Sequence, residues 1–248
     1  MLGPTNKHLI KLTDEIFYFP ESGMLDSNVY LIKNQEHFLL IDGGNGLSFK
    51  GIVRELTNKG FSMNNMDGIC QTHLHVDHIL GLYKFKEEFP NIKIYMSEIE
   101  AIPVEKGDKN IIIPPLGFGI DQMVGSFMNQ IGLKIVPLTI DKKFKDGDTF
   151  RYGKYNFKIL ITPGHTTGGI CLYESEKRIL FSGDTAFPGG SFGRVDFPGG
   201  NANQLIKSLH RLAQLGNIEM LFAGHMDAVT KGAQRSLEAS ARIAASML

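Results

Sequence analysis

Cysteine is scarce: the 248 residues contain two, Cys70 and Cys171, each inside an apolar run. Two thiols cannot form the dense disulfide framework of small secreted domains, and neither stands in a ligand motif, so both read as buried side chains. That removes the thiolate-rich structural zinc sites. Neither charge sign dominates: 26 Lys+Arg balance 26 Asp+Glu. No global positive field favours nucleic acid, and no basic recognition segment is evident, so no nucleic-acid partner is expected. A membrane-length apolar run is missing too, and Met1 to Thr13 scatters Lys7, His8 and Lys11 among its apolar residues. Neither a membrane span nor a signal peptide is expected, and the expected location is the cytoplasm. Low-complexity linkers and short repeats are also lacking, so the default is one domain over residues 1–248.

Histidine is what the chain has, and it is concentrated. Thr72-His73-Leu74-His75-Val76-Asp77-His78 places three imidazoles and a carboxylate directly after the strand-like run Asp67 to Gln71. In an extended strand end His73 and His75 face the same way, and a following turn brings Asp77 and His78 to a second position. The pattern recurs, since Thr162-Pro163-Gly164-His165, Phe181-Ser182-Gly183-Asp184 and Phe222-Ala223-Gly224-His225 each follow a strand-like run with small residues before the polar one. Imidazole nitrogens with carboxylate oxygens suit zinc, iron or manganese and make a catalytic-looking set.

Around these motifs the chain alternates strands and helices. Glu15–Phe19, Asn28–Ile32 and Phe38–Ile41 read as an antiparallel meander ending at Asp42-Gly43-Gly44, and a helix around Ile52 to Leu56 closes at Gly60. Ile79, Leu82, Phe85 and Phe89 recur at helical spacing before Pro90. Ile92–Met96 is a strand, and Ser97 with Glu100 forms a capping box for a short helix ending near Pro103. Lys134–Leu138, Phe157–Ile161, Ile170–Tyr173, Ile179–Phe181 and Glu219–Phe222 read as further strands. Asn203–Leu215 and Gly232–Leu248 read as amphipathic helices, the latter with Ala233, Leu237, Ala241 and Ala245 inward. The stretch around 103–133 is irregular: either an ordinary loop and helix over the core, or a lid in which Phe118 and Phe127 face substrate. Arg194 either pairs internally with Asp196 or contacts substrate.

With these motifs in this order, the chain resembles the metallo-β-lactamase superfamily over nearly its whole length. Ser182 to Gly200, SGDTAFPGGSFGRVDFPGG, is most similar to the hydroxyacylglutathione hydrolase (glyoxalase II)-like branch, in a short form without the helical C-terminal domain. The resemblance implies an α/β fold, a four-layer αββα sandwich, and two divalent metal ions, zinc first, with iron or manganese as alternatives. It implies that His73, His75 and His165 hold one metal, Asp77, His78 and His225 the other, and that Asp184 bridges them. Asp42 matches the family's aspartate after an early strand and is read as a support that orients a ligand or the loop, with turn chemistry as the alternative. The implied activity is hydrolysis of a thioester, ester or lactone, a small-molecule substrate, through a metal-bridging hydroxide, with Asp77 carrying the proton. Two related activities are alternatives: a mononuclear-iron persulfide dioxygenase-like oxidoreductase, and a phosphodiesterase of the RNA-processing branches. Homo-oligomerisation is open.

Overall fold

The computed structural model describes residues 7–23, 25–114 and 119–248. The chain divides into two compact units, residues 1–96 with 101–143, and residues 97–100 with 144–248. Among the described residues no helix is long and apolar enough to cross a membrane.

The first unit is built on a seven-stranded sheet in sequence order: β1 (Ile10–Lys11), β2 (Ile16–Phe19), β3 (Val29–Asn34), β4 (His37–Ile41), β5 (Met66–Cys70), β6 (Lys93–Ser97) and β7 (Lys142–Phe144). β1 to β4 pair antiparallel, as the meander predicts, whereas β4, β5 and β6 run parallel. Parallel neighbours require crossovers, and α1 (Phe49–Asn58) and α2 (Val76–Glu88) supply them. Helix α1 buries Phe49, Ile52 and Leu56 and stops where Gly60 takes φ 85°, with Phe61 N donating back to the Leu56 carbonyl at 3.0 Å. Its apolar stripe joins Leu31, Leu40, Ile69, Leu82 and Phe85 in one core.

Three features differ from expectation. The helix read as ending near Pro103 is α3 (Glu98–Lys106), which carries Pro103 in its interior. Proline there removes one backbone donor and does not stop so short a helix. Lys134–Leu138 is not a strand: Pro137 cannot donate to a ladder, and Val136 is 45 % exposed. The irregular stretch contains α4 (Lys109–Ile112) and α5 (Ile120–Gln130), and Val104, Ile112, Val124, Phe127 and Met128 pack into the same core. The described part of 103–133 is thus a helical cover. Phe127 is 5 % exposed within it, and Phe118 lies outside the described residues.

The second unit repeats the plan with a five-stranded sheet of order β12-β11-β10-β9-β8. Here β8 (Thr149–Tyr152), β9 (Tyr155–Ile161), β10 (Ile170–Glu174) and β11 (Ile179–Gly183) pair antiparallel, and β12 (Met220–Ala223) is parallel to β11. Helix α6 (Ala202–Ala213), capped by the Asn201 side chain, makes that crossover, and α7 (Gln234–Met247) follows β12. Leu205, Leu209 and Leu212 of α6 meet Leu237, Ala241 and Ala244 of α7 over Leu160, Leu180 and Leu221. The inward stripe of α7 ends on Ala244 rather than Ala245, which is exposed, in keeping with a 3.6-residue turn.

One close approach fixes how α2 sits. A methyl group at Gly81 would lie 1.8 Å from the Gly43 carbonyl oxygen, and Gly81 N donates to Gly44 O at 2.7 Å. Alanine in mid-helix gains up to ~1 kcal/mol in propensity, but overlap with a backbone atom cannot be relieved by a rotamer change. Gly81→Ala is therefore expected to lose about 2 kcal/mol or more in urea unfolding; a neutral or stabilised variant would contradict this packing.

Candidate metal centre

Open α/β sheets present ligands at the carboxyl ends of parallel strands. Asp42 follows β4 and His73 follows β5, its parallel neighbour; Asp184 follows β11 and His225 follows β12, likewise parallel. Gly224 N donates to Gly183 O at 2.8 Å, so the last two loops leave their strands side by side.

In the first unit the histidine motif is divided by a helix start. His75 is the N-cap of α2, so His73 and His75 lie on extended chain while Asp77 and His78 occupy the first helical turn. That turn is what separates the two pairs. Asp77 also sits where a carboxylate suits the positive end of the helix dipole. The His73 and His78 ring centroids are 4.1 Å apart and those of His73 and His75 are 4.9 Å apart.

Asp42 organises the group. Its Oδ1 accepts from Thr72 N at 2.7 Å, its Oδ2 from Thr72 Oγ1 at 2.8 Å, and the same Oδ2 is 2.9 Å from His78 Nδ1. An ionised carboxylate can only accept, so His78 donates through Nδ1 and keeps its lone pair on Nε2. Thr72 Oγ1 gives its proton to Asp42 and therefore accepts from His73 Nδ1 at 3.0 Å, which leaves His73 Nε2 unprotonated as well. Asp42 reaches this position with φ 64°, a left-handed conformation that aspartate tolerates better than most residues. Asp42 thus makes the turn and at the same time accepts from Thr72 and His78. From the other side, Ser27 Oγ donates to the Asp77 carbonyl at 2.8 Å. The neighbouring Asp26 pairs with Lys7 at 2.6 Å, both side chains nearly inaccessible.

In the second unit His165 Nδ1 donates to the Arg194 carbonyl at 2.7 Å, so a third histidine keeps its lone pair on Nε2. The backbone of the Arg194 loop comes close because residue 193 is glycine: a Cβ there would lie 2.1 Å from the Asp184 carbonyl and 2.7 Å from His165 Nδ1. The Arg194 side chain turns away, bonded to Asp196 at 2.6 and 2.5 Å and lying 3.7 Å over the Phe197 ring. This is the internal pair, and it holds the loop whose carbonyl orients His165. Asp184 Oδ2 stands 3.4 Å from His165 Nε2 and 3.3 Å from His225 Nε2.

Three sets of these side chains have the composition and spacing to hold a metal ion: His73, His75 and His165; His73, His78 and Asp184; and Asp77, His78 and His225. Within each set one ligand atom per residue lies within 4.8 Å of the others. The donor set fits a divalent metal, because imidazoles whose Nδ1 protons are committed elsewhere present a single type of nitrogen. Sequence reasoning missed Thr72 and Ser27. It also singled out Arg194 for its side chain, when its carbonyl is what accepts from His165. The Gly193-Arg194 dipeptide was the available signal, since glycine permits a close backbone approach.

Residues 22–225 match the metallo-β-lactamase superfamily. The chain belongs to this superfamily. Among its relatives, the acyl-coenzyme A thioesterase MBLAC2 of Bos taurus is 28% identical over 246 residues, covering 90% of this chain and 82% of the relative. Hydroxyacylglutathione hydrolase GloC of Haemophilus influenzae is 30% identical over 179 residues, covering 69% and 74%. The crystal structure of TTHA1623 in a di-iron-bound form superposes with a TM-score of 0.64 at 27% identity, covering 90% of this chain and 96% of that one. The two-sheet α/β architecture is thus the metallo-β-lactamase fold, and the chain is a metallo-hydrolase of that superfamily with a histidine and aspartate cluster able to bind metal.

Two predictions follow from the site's own hydrogen bonds. Asp42→Ala strands the buried Thr72 N–H and His78 Nδ1–H, each worth ~1–3 kcal/mol when unmet, and should lower stability by about 2–4 kcal/mol in chemical denaturation of the metal-free protein. Asp42→Asn keeps one acceptor and should lose less; equal stability of all three forms would remove Asp42 from its central role. The Arg194 hydrogen bonds hold the Asp196 carboxyl down at about 2. Its folded value is depressed, so the pair is complete above the ordinary aspartate range and lost as pH falls through about 2. An NMR titration of Asp196 should show that midpoint and return to the ordinary range in Arg194→Met; an unchanged midpoint in the variant would dismiss the pairing.

Proposed function

We propose that the chain is a dinuclear metal-dependent hydrolase of small acyl substrates, with thioesters first and esters or lactones as alternatives. The observation that carries this reading is the overlap of the three ligand sets. His73 is common to two of them and His78 to two, so the sets describe adjacent positions rather than one closed four-coordinate site. In this reading His73, His75 and His165 hold the first cation and Asp77, His78 and His225 the second. Asp184 belongs to the set that joins His73 to His78 and also lies within 3.4 Å of His165 and 3.3 Å of His225, which supports it as the bridge.

Two divalent cations bound there would bring the pKa of a water shared by them toward neutrality and would polarise an acyl carbonyl. The protein's part is to hold the ligand nitrogens in one tautomer and to manage the proton. Asp77 is the proposed proton carrier: its Oδ2 is 3.9 Å from His78 Nε2, and its side chain is 16% exposed, so a proton received there has a route to solvent. Zinc is the proposed metal, with iron or manganese as alternatives; the di-iron form of TTHA1623 keeps iron in view. Thioesters are placed first because the relatives include a protein named as an acyl-coenzyme A thioesterase and another named as a hydroxyacylglutathione hydrolase.

Metal analysis of protein purified without added metal, followed by assays on thioesters, esters, lactones, phosphodiesters and persulfides, tests the reading. Two equivalents of metal with thioester, ester or lactone hydrolysis are expected. One iron with oxygen uptake on a persulfide would instead establish the dioxygenase alternative, and phosphodiester cleavage alone would establish the phosphodiesterase one. Asp184→Ala is expected to lose one metal equivalent and to cut kcat at least 100-fold, on the order of other losses at such sites; retention of two tightly bound metals would refute the bridge.

A further inference from the structure

A carboxyl group shut off from water needs hydrogen bonds to stay there. Glu100, in the first turn of α3, is 2 % exposed, and its partners lie 66 and 68 residues away in sequence. Its Oε1 accepts from the Thr166 hydroxyl and from Gly168 N, the latter at 3.1 Å. Both donors belong to the loop that carries His165. Ser97 caps α3 as the sequence suggests, its Oγ accepting from Glu100 N at 3.2 Å, but the other half of a capping box is replaced by this reach into the loop.

The fit is close. A Cβ at Gly168 would stand 2.7 Å from Ile99 Cβ and 2.9 Å from Glu100 Cγ, so the first turn of α3 is seated directly on the loop. Residues 97–100 accordingly group with the second unit, although the rest of α3 groups with the first. Elsewhere the loop is tied by backbone: Thr162 N donates to Gly169 O at 2.8 Å, and Asn201 N donates to Gly164 O at 2.7 Å. Gly164, at φ 133°, packs so tightly that a Cβ would meet Leu205 N at 2.2 Å. The ends are thereby fixed by strand β9 and helix α6, and the stretch Thr166 to Gly168 is fixed by Glu100.

We propose that Glu100 is a positioning residue for His165: by holding Thr166 and Gly168 it sets the loop conformation in which the imidazole presents Nε2 to the first cation. The inference rests on the reading of His165 as a metal ligand. It assigns Glu100 no contact with substrate or metal. Because Oε1 receives both hydrogen bonds, the glutamine amide oxygen can receive them too, whereas alanine cannot.

Cobalt(II) binding to the full-length apoprotein separates the two claims, read from the visible d–d spectrum and from competition with a chelator. Circular dichroism of each apoprotein reports folding. Glu100→Ala is expected to weaken one cobalt site by about 10–100-fold and to alter its d–d bands, with Glu100→Gln close to wild type. Should Glu100→Ala fail to fold, Thr166→Val, which removes one of the two donors, is expected to weaken the same site by a smaller factor. Wild-type affinity and spectrum in folded Glu100→Ala, or in Thr166→Val where Glu100→Ala does not fold, would overturn the proposal, as would a Glu100→Gln variant as impaired as Glu100→Ala. His165→Ala is the control for the underlying reading: if it binds cobalt as wild type does, His165 is not a ligand and the site assignment itself fails.

Discussion

A histidine can serve a metal only if its proton is kept on the other nitrogen, and the Asp42 carboxylate meets that requirement for two residues at once. It accepts from His78 Nδ1 directly and orders His73 Nδ1 through the Thr72 hydroxyl. A carboxylate 3% exposed would be costly by itself; with Thr72 N, Thr72 Oγ1 and His78 Nδ1 around it, its lone pairs are met and its position is determined. The left-handed turn at Asp42 and the Gly43–Gly81 approach then follow from one geometric demand. The chain leaving β4 must pass close enough to the start of α2 for the short aspartate side chain to reach His78.

The same logic operates in the second unit with different means. His165 Nδ1 is oriented by a main-chain carbonyl, brought near by Gly193. Two connections, from β9 to β10 and from β11 to α6, meet at that imidazole. Each does so through glycine, because a Cβ at these points would overlap neighbouring atoms. Gly164 against Leu205, Gly168 against Glu100 and Gly193 against Asp184 are three cases of one constraint.

This division explains what could be read in the sequence. Strands β2 to β6 and β9 to β12 were legible because apolar runs bounded by turn residues have few other readings. The histidine and aspartate motifs stand out because imidazoles and carboxylates repeat at strand ends. Contacts made by backbone atoms were not: Arg194 drew notice for its guanidinium, and nothing in its identity reports that its carbonyl serves His165. Glu100 was seen as half of a local capping box, because Ser-x-x-Glu has a short-range explanation and its actual partners lie 66 residues on. Short or edge elements escaped as well: β1, β7 and β8 are two to four residues long, too few for alternation to register. Lys134–Leu138 carried a strand's composition, but Pro137 deprived it of a ladder.

The two means of orienting histidine also have unequal chemical consequences. A carboxylate that accepts from Nδ1–H increases electron density on the imidazole and strengthens Nε2 as a donor; a neutral carbonyl does so less. His78 has the carboxylate, His165 the carbonyl, and His73 a hydroxyl that is itself bound to the carboxylate. A cation held with His78 would therefore face the more basic nitrogen, and one held with His73 and His165 the weaker donors, leaving it the stronger Lewis acid. The orienting groups would add to a difference already present in the two donor sets, three imidazoles in one and two imidazoles with the Asp77 carboxylate in the other. Two cation positions in this cluster would in this way differ both in the side chains that face them and in the groups that stand behind those side chains.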